Sequence, residues 1–274
     1  MRSAADKSLR VALGGLGAVG LPVARRLAGG LSGLTLAAVS ARDPGRAERR
    51  LAELGIRVPI VPLPALAAHA DIVIESVPAA QFRTIAEPAV DAGRVFLPLS
   101  VGALLDHPNL IGRAKARGAR IIVPTGALLG LDAVRAAAEG EIHSVRLVTR
   151  KPPAGLEGAP YLREHAISLA GLAHPLRVFE GSAREGARGF PANVNVAAAL
   201  ALAGIGPDRT HLEIWADPAL ERNTHHIELD SDSVRLSMTI ENLPSTENPR
   251  TGRLTPLSVI ACLRGLTETL RVGS

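Results

Sequence analysis

The sequence predicts an α/β fold in two parts. A doubly wound parallel sheet with helices on both faces comes first, and an α+β domain with a mixed or antiparallel sheet follows. Three observations predict this. Through the first half, short apolar runs alternate with helical segments, as βαβ units do. A glycine-rich turn stands at the first strand-to-helix junction. Beyond about Thr125 the alternation stops, and three strands with alternating faces come close together, as hairpins do. At 274 residues the chain suits one or two domains and can bury a sizeable core.

The elements follow in order. "LRVALGG" is a strand that runs into the glycine turn and a helix through "ARRLAGG". "LTLAAVS" is the second strand. "DPGRAERRLAELG" is a helix with Asp43 as its cap, Pro44 at its first position and Gly55 at its end. "DIVIES", "RVFLPLS" and "RIIVPT" are further strands, each preceded by a helical stretch. In the second half "IHSVRLVTR", "THLEIWAD", "HHIELDSD" and "VRLSMTIEN" are strands. "ANVNVAAALALAG" is a buried, alanine-rich helix, and "LTPLSVIACLRGLTETL" is the last helix. "KPPAGLEGAPY" is the most loop-like stretch. The expected domains are 1–125 and 126–253, with a final helix in 254–274 that returns to the first.

Composition narrows the function. Hydrophobic residues are 47% and charged residues 21%, which is a globular balance. Aromatics are only 2%, so the core is aliphatic and no stacking platform for bases is expected. The net charge is +5, but the basic residues are scattered rather than gathered in a stripe or tail. This excludes nucleic acid as the expected partner and favours an anionic small ligand. The single cysteine, Cys262, allows no internal disulfide and no cysteine zinc cluster, which fits a cytoplasmic protein. No metal-ligand cluster stands out. "MRSAADKSLR" has no apolar signal-peptide core, and the first apolar run is broken by Arg25 and Arg26, so no membrane span is expected.

"GLGAVG" places Gly15, Gly17 and Gly20 in the GxGxxG spacing. The spacing gains meaning from its place between a strand and a helix, where it reads as the dinucleotide fingerprint of a Rossmann domain. Gly15 permits the tight turn, Gly17 lets backbone approach a pyrophosphate, and Gly20 allows close helix–strand packing. The amides at the helix start then face phosphate. Gly15, Leu16, Gly17, Ala18 and Val19 are therefore the candidate coenzyme contacts. NAD sites usually carry an acidic residue at the end of the second strand. Here that strand ends in Ser40 and Ala41, with Arg42 next. No carboxylate repels a 2′-phosphate, while Ser40 and Arg42 can bind one. The expected coenzyme is NAD or NADP, with NADP accepted.

Other polar residues carry two readings each. Arg150 and Lys151 end a strand before two prolines, either as a solvated strand end or as an anion site. Asn193 and Asn195 begin an apolar helix, either as caps or as amide contacts to a nicotinamide carboxamide. Asn242, Asn248 and Arg250 fall in a turn-rich segment. His69, His107, His143 and His165 sit on charged or loop-like stretches and are expected to be solvated. In "RNTHHIEL" strand alternation puts His225 with Ile227 and Leu229, and His226 with Glu228 and Asp230. His225 is thus the inward imidazole, either a hydrogen-bonded core residue or a catalytic one.

Several longer stretches are similar to L-aspartate dehydrogenases: "LSVGAL", "VPTGALLGLDAV", "TRKPPAGL", "FPANVNVAAALALAG", "RNTHHI" and "ENLPSTENPRTGRLTPLSV". The resemblance spans almost the whole chain. It implies a Rossmann domain joined to a sheet-containing catalytic domain, in a homodimer, with a layout like dihydrodipicolinate reductase and homoserine dehydrogenase. It implies that Ala127 and Asn193 contact NAD(P) and that His225 is catalytic. It also implies reversible oxidative deamination of L-aspartate through iminosuccinate to oxaloacetate and ammonia, with a link to nicotinamide-ring synthesis. Many relatives carry an acidic residue near Ala41, so the departure here bears on coenzyme choice. Two alternatives stay open: another NAD(P)-dependent dehydrogenase or reductase of a small dicarboxylate, and a dinucleotide-binding sensor without turnover.

Overall fold

The computed structural model describes residues 8–191, 193–245 and 252–273. The chain divides into two compact units: Met1–Ser100 with His107–Pro124 and Pro256–Arg271, and Val101–Asp106 with Thr125–Thr255 and Val272–Ser274.

The first unit begins with β1 (Leu9–Gly14), α1 (Gly20–Ala28), β2 (Leu34–Ser40) and α2 (Pro44–Glu53). It continues through α3 (Leu66–His69), β3 (Ile72–Glu75), α4 (Phe82–Asp91) and β4 (Val95–Pro98). Next in the chain come α5 (Val101–Leu105), which clusters with the second unit, then α6 (Asn109–Arg117) and the two-residue β5 (Arg120–Ile121). The strands form one parallel sheet in the order β2-β1-β3-β4-β5. Helices cover both faces, so the central strands are apolar throughout rather than alternating. Val11, Ala12 and Leu13 of β1, and Ile72, Val73 and Ile74 of β3, are fully buried. α1 turns Leu21, Val23, Ala24 and Leu27 inward and leaves Arg25 exposed. α2 starts as its residues dictate: Asp43 accepts a bond from the Arg46 amide, and Pro44 occupies the first turn.

The order places β2 on one side of β1 and β3 on the other. The connections from β1 and to β3 therefore leave in opposite directions at the carboxyl ends of these two strands. That is the switch point where open α/β sheets bind ligands.

The second unit contains α7 (Leu131–Ala137), β6 (Ile142–Lys151), α8 (Pro160–Glu164), β7 (Leu176–Ser182) and α9 (Ala183–Gly189). It continues with α10 (Asn195–Ala203), β8 (Thr210–Ala216), β9 (Asn223–Ser231) and β10 (Arg235–Asn242). Its sheet is mixed, in the order β10-β9-β6-β8-β7. β6 lies parallel to β8 and antiparallel to β9, and the outer pairs are antiparallel. β7 was not expected from the sequence. It is an edge strand whose register shifts between Arg177 and Phe179, and such a bulge breaks the period of two that marks a strand. α10 is buried along Ala197–Ala201, where small side chains allow close packing. Tyr161, Phe179 and Phe190 pack together, with ring centroids 5.2–5.7 Å apart, and the Phe190 carbonyl accepts from the Asn193 amide at 2.8 Å.

The last helix, α11 (Leu254–Gly265), buries Val259 and Leu263 in the apolar cluster that holds Val11, Leu13 and Leu34 of the first unit. Thr267 then donates its hydroxyl to the Ser32 carbonyl at 2.9 Å.

Candidate active site

In the first unit the three motif glycines meet three different constraints. Gly15 has φ +99°, and a Cβ there would lie 2.6 Å from the Ser76 carbonyl oxygen. Only glycine accepts both conditions cheaply. At Gly20 a Cβ would fall inside the Gly15 carbonyl oxygen, so this glycine lets α1 close onto the turn. At Gly17 a Cβ would meet nothing within 4 Å. Space rather than packing selects glycine there, as expected where a phosphate comes close to backbone. No side chain caps α1 at Val19, so no side chain competes with a phosphate at the helix start. Leu16 and Ala18 lie within this turn, and the Leu16 carbonyl accepts a bond from Arg50 of α2 at 3.3 Å.

Ser76, just after β3, fastens the turn, and Glu75 closes the strand. Ser76 donates its hydroxyl to the Gly14 carbonyl at 2.8 Å. Glu75, fully buried, bonds the other way. It accepts from the Ser100 amide (2.9 Å), the Ser100 hydroxyl (3.0 Å), the Val77 amide (3.1 Å) and the Leu99 amide (3.2 Å). Burial pushes its carboxyl up from the usual range, and these donors oppose the shift. Sequence reading missed Arg50, Glu75 and Ser76. The one available signal was a carboxylate closing the apolar run "DIVI". At the end of β2, Ser40 is buried and gives its carbonyl to the Gly15 amide, while Arg42 is exposed.

The second unit gathers its polar groups on one sheet face. His225 on β9 lies directly opposite Thr149 on β6, and Thr149 Oγ1 is 3.0 Å from His225 Nδ1. His225 is 3% exposed, in a row with buried Ile227 and Leu229. Burial, and then the Lys151 ammonium, lower its pKa to about 3, so the imidazole is neutral across the physiological range. Lys151 shares the Thr149 face and is itself buried. Its ammonium donates to Asn193 Oδ1 at 2.8 Å. Asn242, buried at the end of β10, donates to the Ala127 carbonyl at 2.9 Å.

This geometry resolves several of the paired readings. Asn193 and Asn195 cap nothing: Val194 holds the N-cap position of α10 and no side chain bonds there. Asn195 Oδ1 instead accepts the Gly102 amide at 3.1 Å. Asn242 belongs to a strand end rather than a loop, and Asn248 and Arg250 lie outside the described residues.

Arg150 lies apart from this set. Its neighbours Thr149 and Lys151 face His225, so Arg150 points to the opposite face. There it stacks on Trp215 at 4.6 Å and lies 3.7 Å from Asp217. His226 shares that outer face, with Nδ1 2.9 Å from Thr239 Oγ1 and Nε2 3.6 Å from Glu228. Of the histidines expected in solvent, His143 and His165 are exposed, whereas His69 and His107 are half-buried and His107 stacks on Phe82. Glu180, His211 and Glu213 also group on the outer face, but Arg146 already binds Glu213 at 2.6 Å.

No helix among the described residues is long and apolar enough to cross a membrane.

Comparisons with known proteins agree with this two-part layout. A family model for the homoserine dehydrogenase NAD-binding domain matches residues 15–124. A model for the aspartate dehydrogenase C-terminal region matches residues 132–266. L-aspartate dehydrogenase 3 of Bordetella bronchiseptica is 56% identical over 269 residues, covering 98% of each chain. L-aspartate dehydrogenase of Bradyrhizobium diazoefficiens is 54% identical, covering 98% of this chain and 96% of its own. The solved structure of Thermotoga maritima aspartate dehydrogenase has the same fold, with a TM-score of 0.71 at 23% identity over 97% of this chain and 99% of that one. With relatives this similar over nearly its full length, the chain belongs to the L-aspartate dehydrogenase family.

Proposed function

We propose that this chain is an NAD(P)-dependent oxidoreductase that deaminates L-aspartate reversibly, through iminosuccinate, to oxaloacetate and ammonia. The observation that carries the reading is the set of buried Thr149, Lys151 and His225 with half-buried Asn193, in the part of the chain that matches the aspartate dehydrogenase C-terminal model. The coenzyme fits the first unit's turn, with open space at Gly17, an uncapped helix start and no carboxylate at the end of β2. We assign coenzyme contact to Gly15, Leu16, Gly17, Ala18, Val19, Ser40, Arg42, Ala127 and Asn193. Residues 1–125 bind the dinucleotide, 126–253 carry catalysis and dimerisation, and the helix in 254–274 braces the first domain.

A bound nicotinamide would supply the acceptor for the hydride of the substrate α-carbon. The chain's own residues do the rest. Lys151 offers an ammonium to a substrate carboxylate and holds Asn193 in place. Asn193 can then present its amide N–H to a carboxamide. Neutral His225 takes a proton from the water that adds to the imine, and returns it to the departing nitrogen. Arg150, on the other face, has no part in this set. The homodimer is assigned from the family resemblance. The lone cysteine supports a cytoplasmic setting.

Reduced-nicotinamide absorbance tests the reading. Turnover is expected with L-aspartate, and with oxaloacetate plus ammonia, while L-alanine is poor because it leaves one anion contact empty. Equal catalytic efficiency with L-alanine contradicts dicarboxylate selectivity, and no turnover with any amino acid favours a sensor.

A further inference from the structure

We propose that Thr149 is a positioning residue for the reaction: its hydroxyl holds His225 by Nδ1 and lets Nε2 present either a lone pair or a proton. The inference rests on the reading that His225 moves protons.

The geometry makes Thr149 suited to this. Thr149 and His225 come from strands 76 residues apart in sequence, and the β6–β9 register sets them directly opposite each other. Both are buried, so water does not compete for the bond. With Nδ1 occupied, the ring plane is fixed and Nε2 is left to face a substrate. The partner's chemistry then matters. A hydroxyl both donates and accepts, whereas a carboxylate only accepts. A carboxylate at this place would pin a proton on Nδ1 and favour the imidazolium. Thr149 imposes neither, and the adjacent Lys151 ammonium opposes a second positive charge.

A reversible deamination needs both forms. When water adds to the carbon of the protonated imine, the C–O bond forms and the C=N π pair moves to nitrogen, which becomes a neutral amine. The water proton goes to the Nε2 lone pair, and Nδ1–H donates to Thr149 Oγ1. When nitrogen leaves, the Nε2 proton moves onto it and the C–N pair departs with it. An oxygen lone pair forms the C=O π bond, and the hydroxyl proton passes to the Nε2 lone pair and from there to the released ammonia. In the aminating direction the same states are crossed in reverse, and Nδ1–H keeps donating to Thr149 Oγ1 while Nε2 gains and loses the proton. One threonine thus serves both directions by accepting from Nδ1 throughout.

The test compares Thr149→Val, Thr149→Ser and His225→Ala in both directions. Thr149→Val keeps the shape and removes the hydroxyl. It is expected to lower kcat roughly 10- to 100-fold both ways, less than the loss of a whole general acid/base. Coenzyme affinity and the KM for aspartate should hold. The solvent deuterium isotope effect on kcat should rise, because proton transfer becomes slower. Thr149→Ser should restore most of the rate and the wild-type isotope effect. Unchanged kcat in Thr149→Val, or a loss that serine does not restore, overturns the proposal. So does a rate loss without a change in isotope effect, which indicates a packing role only. If Thr149→Val loses coenzyme affinity, Thr149→Ala replaces it, judged by the same isotope effect and the same serine rescue. If His225→Ala keeps its rate, the underlying reading of His225 fails instead, whatever Thr149→Val does.

Discussion

The glycine turn of the first unit is shaped by backbone, and the His225 face of the second by side chains. At the turn, each side chain is absent for a reason: left-handed φ at Gly15, open space at Gly17, helix contact at Gly20. The constraint is local and spans six residues. On the His225 face, the groups come from three separated segments, β6, β9 and the turn before α10. Their meeting depends on strand register, a long-range property. Coenzyme binding and proton transfer should therefore separate cleanly under mutation.

The largest expected effect tests that separation directly. His225→Ala should lower kcat by roughly 10²–10⁴-fold, the usual range for a lost general acid/base. Coenzyme affinity should stay near wild type, because the turn and Asn193 are intact. Stopped-flow hydride transfer with parallel coenzyme titration checks both. A mutant that loses coenzyme affinity along with rate shows that the two regions are not independent.

Lys151→Met comes next. The ammonium is buried beside Asn193 and within the field of His225. Losing a charged hydrogen bond to substrate should cost about 1.5–3 kcal/mol, read mainly as a higher KM for aspartate. Discrimination against L-alanine should shrink with it. If KM is unchanged and only coenzyme affinity falls, Lys151 serves Asn193 and not the substrate.

The coenzyme side has its own test of similar or smaller size. Arg42→Ala should weaken NADP more than NAD, by about 1.5–3 kcal/mol at most, and less if the exposed side chain stays solvated. Equal losses for both coenzymes remove Arg42 from the 2′-phosphate role.

The two regions also differ in how legible they were. The parallel sheet, the glycine turn and the Asp43 cap follow from local signals, and the structure contains each of them. Alternation around Ile227 and Leu229 also selected the correct covered imidazole. Thr149 escaped notice although Arg150 and Lys151 were singled out beside it. Alternation alone puts residues 149 and 151 on one face, but only the β6–β9 register brings His225 onto that face, and register cannot be read from one strand. Glu75 was missed for a related reason. Its donors at Leu99 and Ser100 follow β4, more than twenty residues on. β7 was missed because a bulge disrupts its pattern.

Acid stability reads the His225 burial without any assay of turnover. The folded-state pKa is depressed to about 3, against about 6.5 for an unperturbed histidine. Between those values the unfolded chain binds a proton at this site and the folded chain does not. Stability is thus fully present above about pH 6.5 and falls with decreasing pH, by about 1.4 kcal/mol per pH unit from this group. Denaturant unfolding of wild type and His225→Asn between pH 7 and 5 isolates the effect before most carboxylates titrate. Parallel stability curves for the two proteins mean that His225 is less buried in solution.

The smallest expected effect comes from the adjacent histidine and sharpens the comparison most finely. His226 differs from His225 by one position and by the whole thickness of the sheet. Its side chain is 37% exposed, beside Thr239 Oγ1 and the half-exposed Glu228. An imidazole in that setting has water available to both nitrogens, so its removal strands no buried polar group. His226→Ala should change stability by about 0.5 kcal/mol or less and leave turnover near wild type. If turnover instead collapses while His225→Ala is tolerated, the strand register is shifted by one residue. Every face assignment on β9 would then reverse together, because the side-chain period of a strand is two.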